Sequence, residues 1–308
     1  MTSFPPFYNP CRIGTLFYPD VANLAQEAVQ ANLPSASEDQ TRTHLLIIDM
    51  QVDFCHQQGT LHVPGAAEDI RHLIEFIYRN GERITSITCS LDSHLTYQIF
   101  HPCWWVDVEG NHPAPFTVIT QQDVAQGRWE PLFESEWSIA YVKKLHEGKK
   151  RDLTIWPYHV PIGGVGNALD PELWSAVFWH SVARQSQPTW WTKGSVAKTE
   201  HYSILGPELP VSDTAPSEVT SLIEELGRQD HLIIAGEASS HCVVETLEDL
   251  VGEFVGKPDF LDRIFILRDC TSPVQHPEID FAAITAKRFA QFEEQGIHFI
   301  LSPDPFPF

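Results

Sequence analysis

A parallel α/β sheet covered by helices on both faces is the fold class that the sequence predicts. Short apolar runs bounded by turn residues recur along the chain and read as strands. They alternate with segments of helical period, the pattern that builds parallel sheets from β–α–β units. Asp49, Asp92, Lys193 and Cys242 all fall at or just past predicted strand ends on one side. Open parallel sheets bind their ligands on that side, near a switch in strand order.

Taken in order, residues 1–42 read as an N-terminal extension, with early prolines and a polar stretch, PSASEDQTRT, before the first strong strand. Phe4, Phe7, Tyr8, Phe17 and Tyr18 give this arm aromatics to lay on its own body or on a neighbouring subunit. Residues 44–48 form a fully apolar strand after His44, with Asp49 at its end. Residues 66–80 form an amphipathic helix with Ile70, Leu73, Ile74 and Ile77 on one face. A second strand, RITSITCSLD, ends at Asp92. The stretch 103–150 shows no clear period and carries Trp104, Trp105, Trp129 and Trp137, which suggests a lid, interface or binding element. WPYHVPIGGVGNALDPEL is a glycine-rich turn leading into a helix over 173–183. The strand TWWTK ends at Lys193, and a helix spans about 215–228. Residues 232–234 form a strand, 236–240 a tight turn of small residues, and a helix opens at or near Cys242, with Val243, Val244, Leu247 and Leu250 at helical spacing. The strand RIFILRD, a helix over about 277–295 and the strand HFIL complete the body, leaving 303–308 as a tail.

Composition narrows the function classes. The chain has 308 residues, 43% of them hydrophobic and 20% charged, ordinary globular values. Its 41 acidic side chains against 20 basic ones give a net charge of −21, a field that repels nucleic acid. The 6 cysteines (11, 55, 89, 103, 242 and 270) are dispersed, with no CxxC pair, unlike a disulfide framework or a zinc ribbon. The N-terminus lacks a basic region followed by an apolar one, so it does not read as a signal peptide. No apolar run approaches the roughly 20 residues that span a bilayer. A soluble protein of a reducing, cytoplasmic compartment is expected.

Several residues could carry chemistry. A thiol at a helix N-terminus sits in the positive end of the macrodipole, which favours the thiolate and offers N–H groups to an oxyanion. Cys242 is therefore a candidate nucleophile, against the plainer reading of a small packing residue. A carboxylate ending an apolar strand is costly unless paired or functional, which singles out Asp49. Asp53, four residues on, fits a turn-capping role better. Lys193 closes a strand almost without polar residues, so its ammonium should meet a carboxylate. Asp, Lys and Cys at neighbouring strand ends make a nucleophile, a base and an orienting group. Asp92 and His94 offer two ligands in one turn, suited to zinc, iron or manganese. His159 could complete that set, with His101 and His112 as rivals. Phe54 and Trp156 could sandwich a planar substrate, or simply pack the core.

Together these segments resemble the isochorismatase-like cysteine hydrolase superfamily, and within it the nicotinamidases. IIDMQVDF, SLDSH, WPYHVPIGGVGNALDPEL, WTKG and AGEASSHCVVET occur in the family's order over about 43–302. The resemblance implies a doubly wound, six-stranded parallel sheet in a chain that is usually oligomeric. It implies Cys242 as nucleophile, Asp49 as general base, Lys193 as third member of the triad, and metal ligands at Asp92, His94 and His159. It also implies a cis peptide before Ala238, with the N–H groups of Ala238 and Cys242 as oxyanion hole, and Phe54 and Trp156 against the substrate ring. Three features depart from the pattern: Gln98 where another metal-site histidine often stands, Val160 where a cysteine usually follows the WPxH histidine, and the added segments 1–42 and 103–150.

The expected activity is hydrolysis of a small carboxamide, nicotinamide first, to the acid and ammonia through a thioester, with a divalent metal as cofactor. Two further readings compete. One is another hydrolase of the fold, acting on ureido, carbamoyl or isochorismate-type substrates. The other is a silent scaffold acting through its tryptophan-rich segment. The partner expected is a small amide, with neither nucleic acid nor membrane, in a homo-oligomer.

Overall fold

The computed structural model describes residues 4–148, 151–211 and 216–306. Strands β1 (Thr43–Ile48), β2 (Ser86–Asp92), β3 (Thr189–Lys193), β4 (His231–Gly236), β5 (Ile264–Leu267) and β6 (His298–Ile300) form one 6-stranded sheet in the order β6-β5-β4-β1-β2-β3. Every neighbouring pair is parallel, as the alternating pattern predicted. The order reverses between β1 and β4, whose ladder runs from Thr43↔His231 to Ile48↔Gly236. That reversal is the switch point at which such sheets carry their ligands.

Seven helices enter the account: α1 (Val21–Gln30), α2 (Ala66–Asn80), α3 (Ser135–Glu147), α4 (Pro171–Arg184), α5 (Pro216–Gly227), α6 (Val244–Glu253) and α7 (Phe281–Glu294). The two sides of the sheet can be read from strand parity. Leu45 and Ile47 of β1, with Ile233 and Ala235 of β4, share a core with Ile70, Leu73 and Ile77 of α2 and Leu173 and Val177 of α4. Leu46 and Ile48, with Leu232 and Ile234, share the opposite core with Leu222 of α5, Leu247 and Leu250 of α6, and Phe289 and Phe292 of α7. Each such aliphatic side chain contributes about 1.5–3 kcal/mol when fully buried. This explains why β1 is apolar at consecutive positions rather than at alternate ones.

The arm and the stretch 103–150 hold more regular structure than their sequence suggested. Asp20 caps α1 by accepting from the Asn23 N–H at 3.1 Å, and α1 lies on α4, burying Ala28 against Trp179 and Ala183. The arm settles on its own body: the rings of Phe7 and Tyr8 meet Tyr78 at 6.0 and 5.5 Å, and Arg12 pairs with the buried Glu172 at 3.1 Å. The aperiodic reading of 103–150 needs correction, because it contains α3, one short antiparallel ribbon and one strand of a second. Ser138, Tyr141, Val142 and Leu145 of α3 are buried at helical spacing, but a serine among them and Trp137 off that face blur the period. Trp104 and Trp105 are core residues. One ribbon pairs Val118–Ile119 with Leu153–Thr154, joining this segment to the chain that leads into Trp156.

Candidate active site

The strand ends bring the predicted residues together. Asp49 follows β1, Lys193 ends β3, and Cys242 lies in a π-helical turn, Ser239–Val243, between β4 and α6. Lys193 Nζ sits 2.9 Å from Asp49 Oδ2, 3.2 Å from Asp92 Oδ1 and 3.6 Å from Cys242 Sγ, and donates to the His201 carbonyl at 2.9 Å. All four side chains are buried. Asp49 takes a left-handed backbone conformation, φ +46°, and its Oδ1 accepts from the Ser90 hydroxyl at 2.6 Å. The next strand thus fixes the carboxylate that the lysine pairs.

Charge explains the protonation states. Burial pushes the Asp49 carboxyl up, against the pull of Lys193. Burial also pushes the Cys242 thiol well up, and the lysine only partly offsets it because Asp49 and Asp92 add negative charge nearby. The expectation that a helix N-terminus would lower this thiol is therefore corrected. Enclosure beside two carboxylates outweighs the dipole, and the resting cysteine keeps its proton. Lys193 is pushed up: burial alone would lower it, but Asp49 and Asp92 outweigh burial, and the ammonium stays charged.

Asp92, His94 and His159 place one ligand atom each within 4.8 Å of one another. His94 Nδ1 lies 3.0 Å from the Gly194 carbonyl and His159 Nδ1 lies 2.7 Å from the Pro157 carbonyl. A carbonyl can only accept, so both Nδ1 atoms carry hydrogen and the Nε2 atoms are the ones left to ligate; His94 Nε2 lies 2.9 Å from Asp92 Oδ2, so a bound cation would replace the hydrogen shared there. Burial, with His94 adding, pushes His159 well below the usual histidine range, keeping it neutral. Burial alone would raise Asp92, but His94 and Lys193 hold its carboxyl below the usual range. These three residues fit a divalent cation. Gly194 permits the cluster: at φ +84°, a Cβ there would stand 2.2 Å from Asp92 Oδ1.

The rivals separate. His112 is exposed and bonds the Trp105 carbonyl at 2.7 Å within the added segment. His101 is buried beside the cluster, its ring 6.1 Å from that of His159. Gln98 stands outside the ligand set and clamps two loops, donating to the Gly194 carbonyl at 2.8 Å. Asp53 does more than cap its own turn: its Oδ2 accepts from the Val160 N–H at 2.7 Å, holding the loop that carries His159. That loop approaches so closely that a Cβ on Gly166 would stand 2.0 Å from Asp53 Oδ2. The buried Val160, at φ +40°, accepts from the His94 N–H at 3.1 Å and so links the two histidine loops.

Phe54 and Trp156 line one cavity with Cys242, His94 and His159. Leu61, Val63, Phe100 and Val274 make the rest of it largely apolar. The Glu237–Ala238 peptide is cis, and no hydrogen bond among the described residues occupies the Ala238 N–H. Glu200, His201, Tyr202, Glu237 and His241 also line the cavity. Sequence reading missed them as site residues, since loop side chains that converge from 200–202 and 237–241 leave no periodic mark. The polar–aromatic run TEHY shortly after Lys193 was the one available signal.

No protein-family model and no curated protein matches the chain. Solved structures do. The yeast nicotinamidase Pnc1p bound to the inhibitor nicotinaldehyde is 17% identical over 84% of this chain and 99% of its own, with a TM-score of 0.57. PnC1 from L. infantum in complex with nicotinate is 19% identical, covering 88% and 96%, with a TM-score of 0.52. A nicotinamidase pyrazinamidase from Acinetobacter baumanii is 17% identical, covering 86% and 98%, with a TM-score of 0.56. At these identities the likeness lies in the fold: this chain has the doubly wound sheet of those enzymes over most of its length.

Proposed function

We propose that this protein is a cysteine-dependent amidohydrolase that cleaves a small planar carboxamide, nicotinamide first, to its acid and ammonia. The observation that carries this reading is the buried meeting of Asp49 and Lys193 behind Cys242, whose thiol lines a ring-walled cavity. Asp49 takes the thiol proton, its raised affinity suiting it to a thiol also pushed up by burial. Lys193 stays charged throughout and balances the anion that passes between carboxylate and sulfur. Sulfur attacks the amide carbon, and the N–H groups of Ala238 and Cys242 receive the oxyanion. The C–N bond breaks as Asp49 returns the proton to nitrogen, releasing ammonia and leaving a thioester. Water, deprotonated by Asp49, then cleaves the thioester, and the thiol regains its hydrogen.

Asp92, His94 and His159 would hold a divalent cation (zinc, iron or manganese), which supplies Lewis-acid polarisation beside the thiol when bound. Phe54 and Trp156 would take the substrate ring between them. A dianionic substrate of the isochorismate kind is disfavoured, because no arginine lines the cavity among the described residues and Lys193 is committed to two carboxylates. Ammonia release from nicotinamide, pyrazinamide, ureido and carbamoyl compounds tests the proposal. Release from the carboxamides that disappears in Cys242→Ala is the expected result, and turnover surviving that substitution would sink the mechanism.

A further inference from the structure

Glu200 lines the cavity but has no part in the chemistry above. Both its carboxyl oxygens are engaged. The Tyr202 hydroxyl lies 2.6 Å from Oε1 and the Tyr141 hydroxyl 3.2 Å from Oε2. The Glu200 N–H also donates to the Tyr141 hydroxyl at 2.9 Å. On the other side, Trp156 Nε1 donates to the Tyr202 hydroxyl at 3.0 Å. Because Tyr202 accepts from the indole, its own hydrogen goes to Glu200, which gives this relay one direction. It starts in α3 of the added segment and ends at the ring expected to face the substrate. The same segment braces that ring again through Phe116, edge-on at 5.9 Å.

The groups facing Glu200 are Tyr141, Tyr202 and Glu208, with Arg151 beyond Tyr202, and no lysine or arginine bonds it among the described residues. Burial, with Glu208 adding, pushes its carboxyl up to about 8, so at neutral pH the carboxyl is mostly uncharged.

We infer that Glu200 is a positioning residue that ties the added helix to Trp156 through Tyr202, so that the segment 103–150 sets the affinity for a planar substrate. This rests on the reading that Trp156 faces the substrate ring. Glu200→Gln reproduces the size and lack of charge of the acid, keeps an acceptor for Tyr202 and a polar partner for Tyr141, and keeps the KM of the parent for nicotinamide. Glu200→Leu and Tyr141→Phe each break a link and raise KM about five- to tenfold, with kcat changed less than about twofold. In a Trp156→Phe background, Glu200→Leu adds nothing further. A second readout needs no turnover. The Trp156 fluorescence, taken as parent minus Trp156→Phe, steps with a midpoint near pH 8 as the carboxyl ionises, and Glu200→Gln lacks the step. A KM in Glu200→Leu no higher than in Glu200→Gln, additivity with Trp156→Phe, or a step that persists in Glu200→Gln would each overturn the inference. If Glu200→Leu does not fold, Tyr141→Phe and Glu200→Gln decide. Parent protein that shows the step but turns over no amide defeats the hydrolase reading and leaves the relay standing.

Discussion

Two walls enclose the cavity, and they are built in opposite ways. The rim that carries Asp49, Lys193 and Cys242 consists of strand ends and the turn after β4, joined by parallel ladders and by one buried ammonium. The wall that carries Trp156, Glu200 and Tyr202 is made of loops, joined by hydrogen bonds between neutral or neutralised groups up to 59 residues apart. The first concentrates charge, so losing one partner leaves others buried and unpaired. The second concentrates shape, so losing one partner lets a ring drift. Defects in the rim should abolish chemistry, and defects in the wall should weaken binding.

The largest effect expected is from Cys242→Ala, with ammonia release falling by about 10⁴-fold or more while substrate still binds, as calorimetry would show. A wall variant with an equal loss of kcat would erase the contrast. Lys193→Met comes next. It strands the carboxylates of Asp49 and Asp92 together, and denaturant melting should show a loss of about 3–5 kcal/mol alongside lost activity. His159→Ala should weaken divalent-metal binding by more than about 100-fold, measured by metal analysis and titration, whereas the exposed His112→Ala should leave it unchanged. The smallest effect sharpens the wall. Glu200 has its pKa raised from 4.5 to about 8, so between those values the folded chain holds a proton that the unfolded chain has released. Its contribution to stability is full below the unfolded value, falls as pH rises through that window, and is level above about 8. The Tm advantage of Glu200→Gln over the parent should therefore widen from mildly acidic to alkaline pH.

The same contrast governs what could be read from the chain alone. A strand with both faces buried writes itself as a run such as LLII, and its end is marked by the first charge, Asp49. The helix stripe Ile70, Leu73, Ile74 and Ile77 was equally plain. Residues at strand ends could then be gathered on one side by topology before any coordinates were known. Nothing comparable marks Tyr141 as the partner of Glu200, because their meeting depends on where α3 and the loop after β3 come to lie. The lowered thiol was misjudged for a related reason. The local motif shows the dipole, while the carboxylates that oppose it arrive from β1 and β2. His101, His112 and His159 look alike in sequence, and only burial and the carbonyl bonded by each Nδ1 tell them apart.

The pairing of Ile48 with Gly236 has a consequence for heating. Base and nucleophile follow one shared rung of a hydrogen-bonded ladder at the centre of the sheet, Asp49 at once and Cys242 through the buried turn Ser239–Val243, so their separation holds as long as the ladder and that turn hold. Catalytic competence should persist up to global unfolding, whereas the loop-built ring wall is free to loosen at lower temperature. Warming the protein would then show as a climbing KM first, with turnover at saturation failing only when the whole molecule gives way.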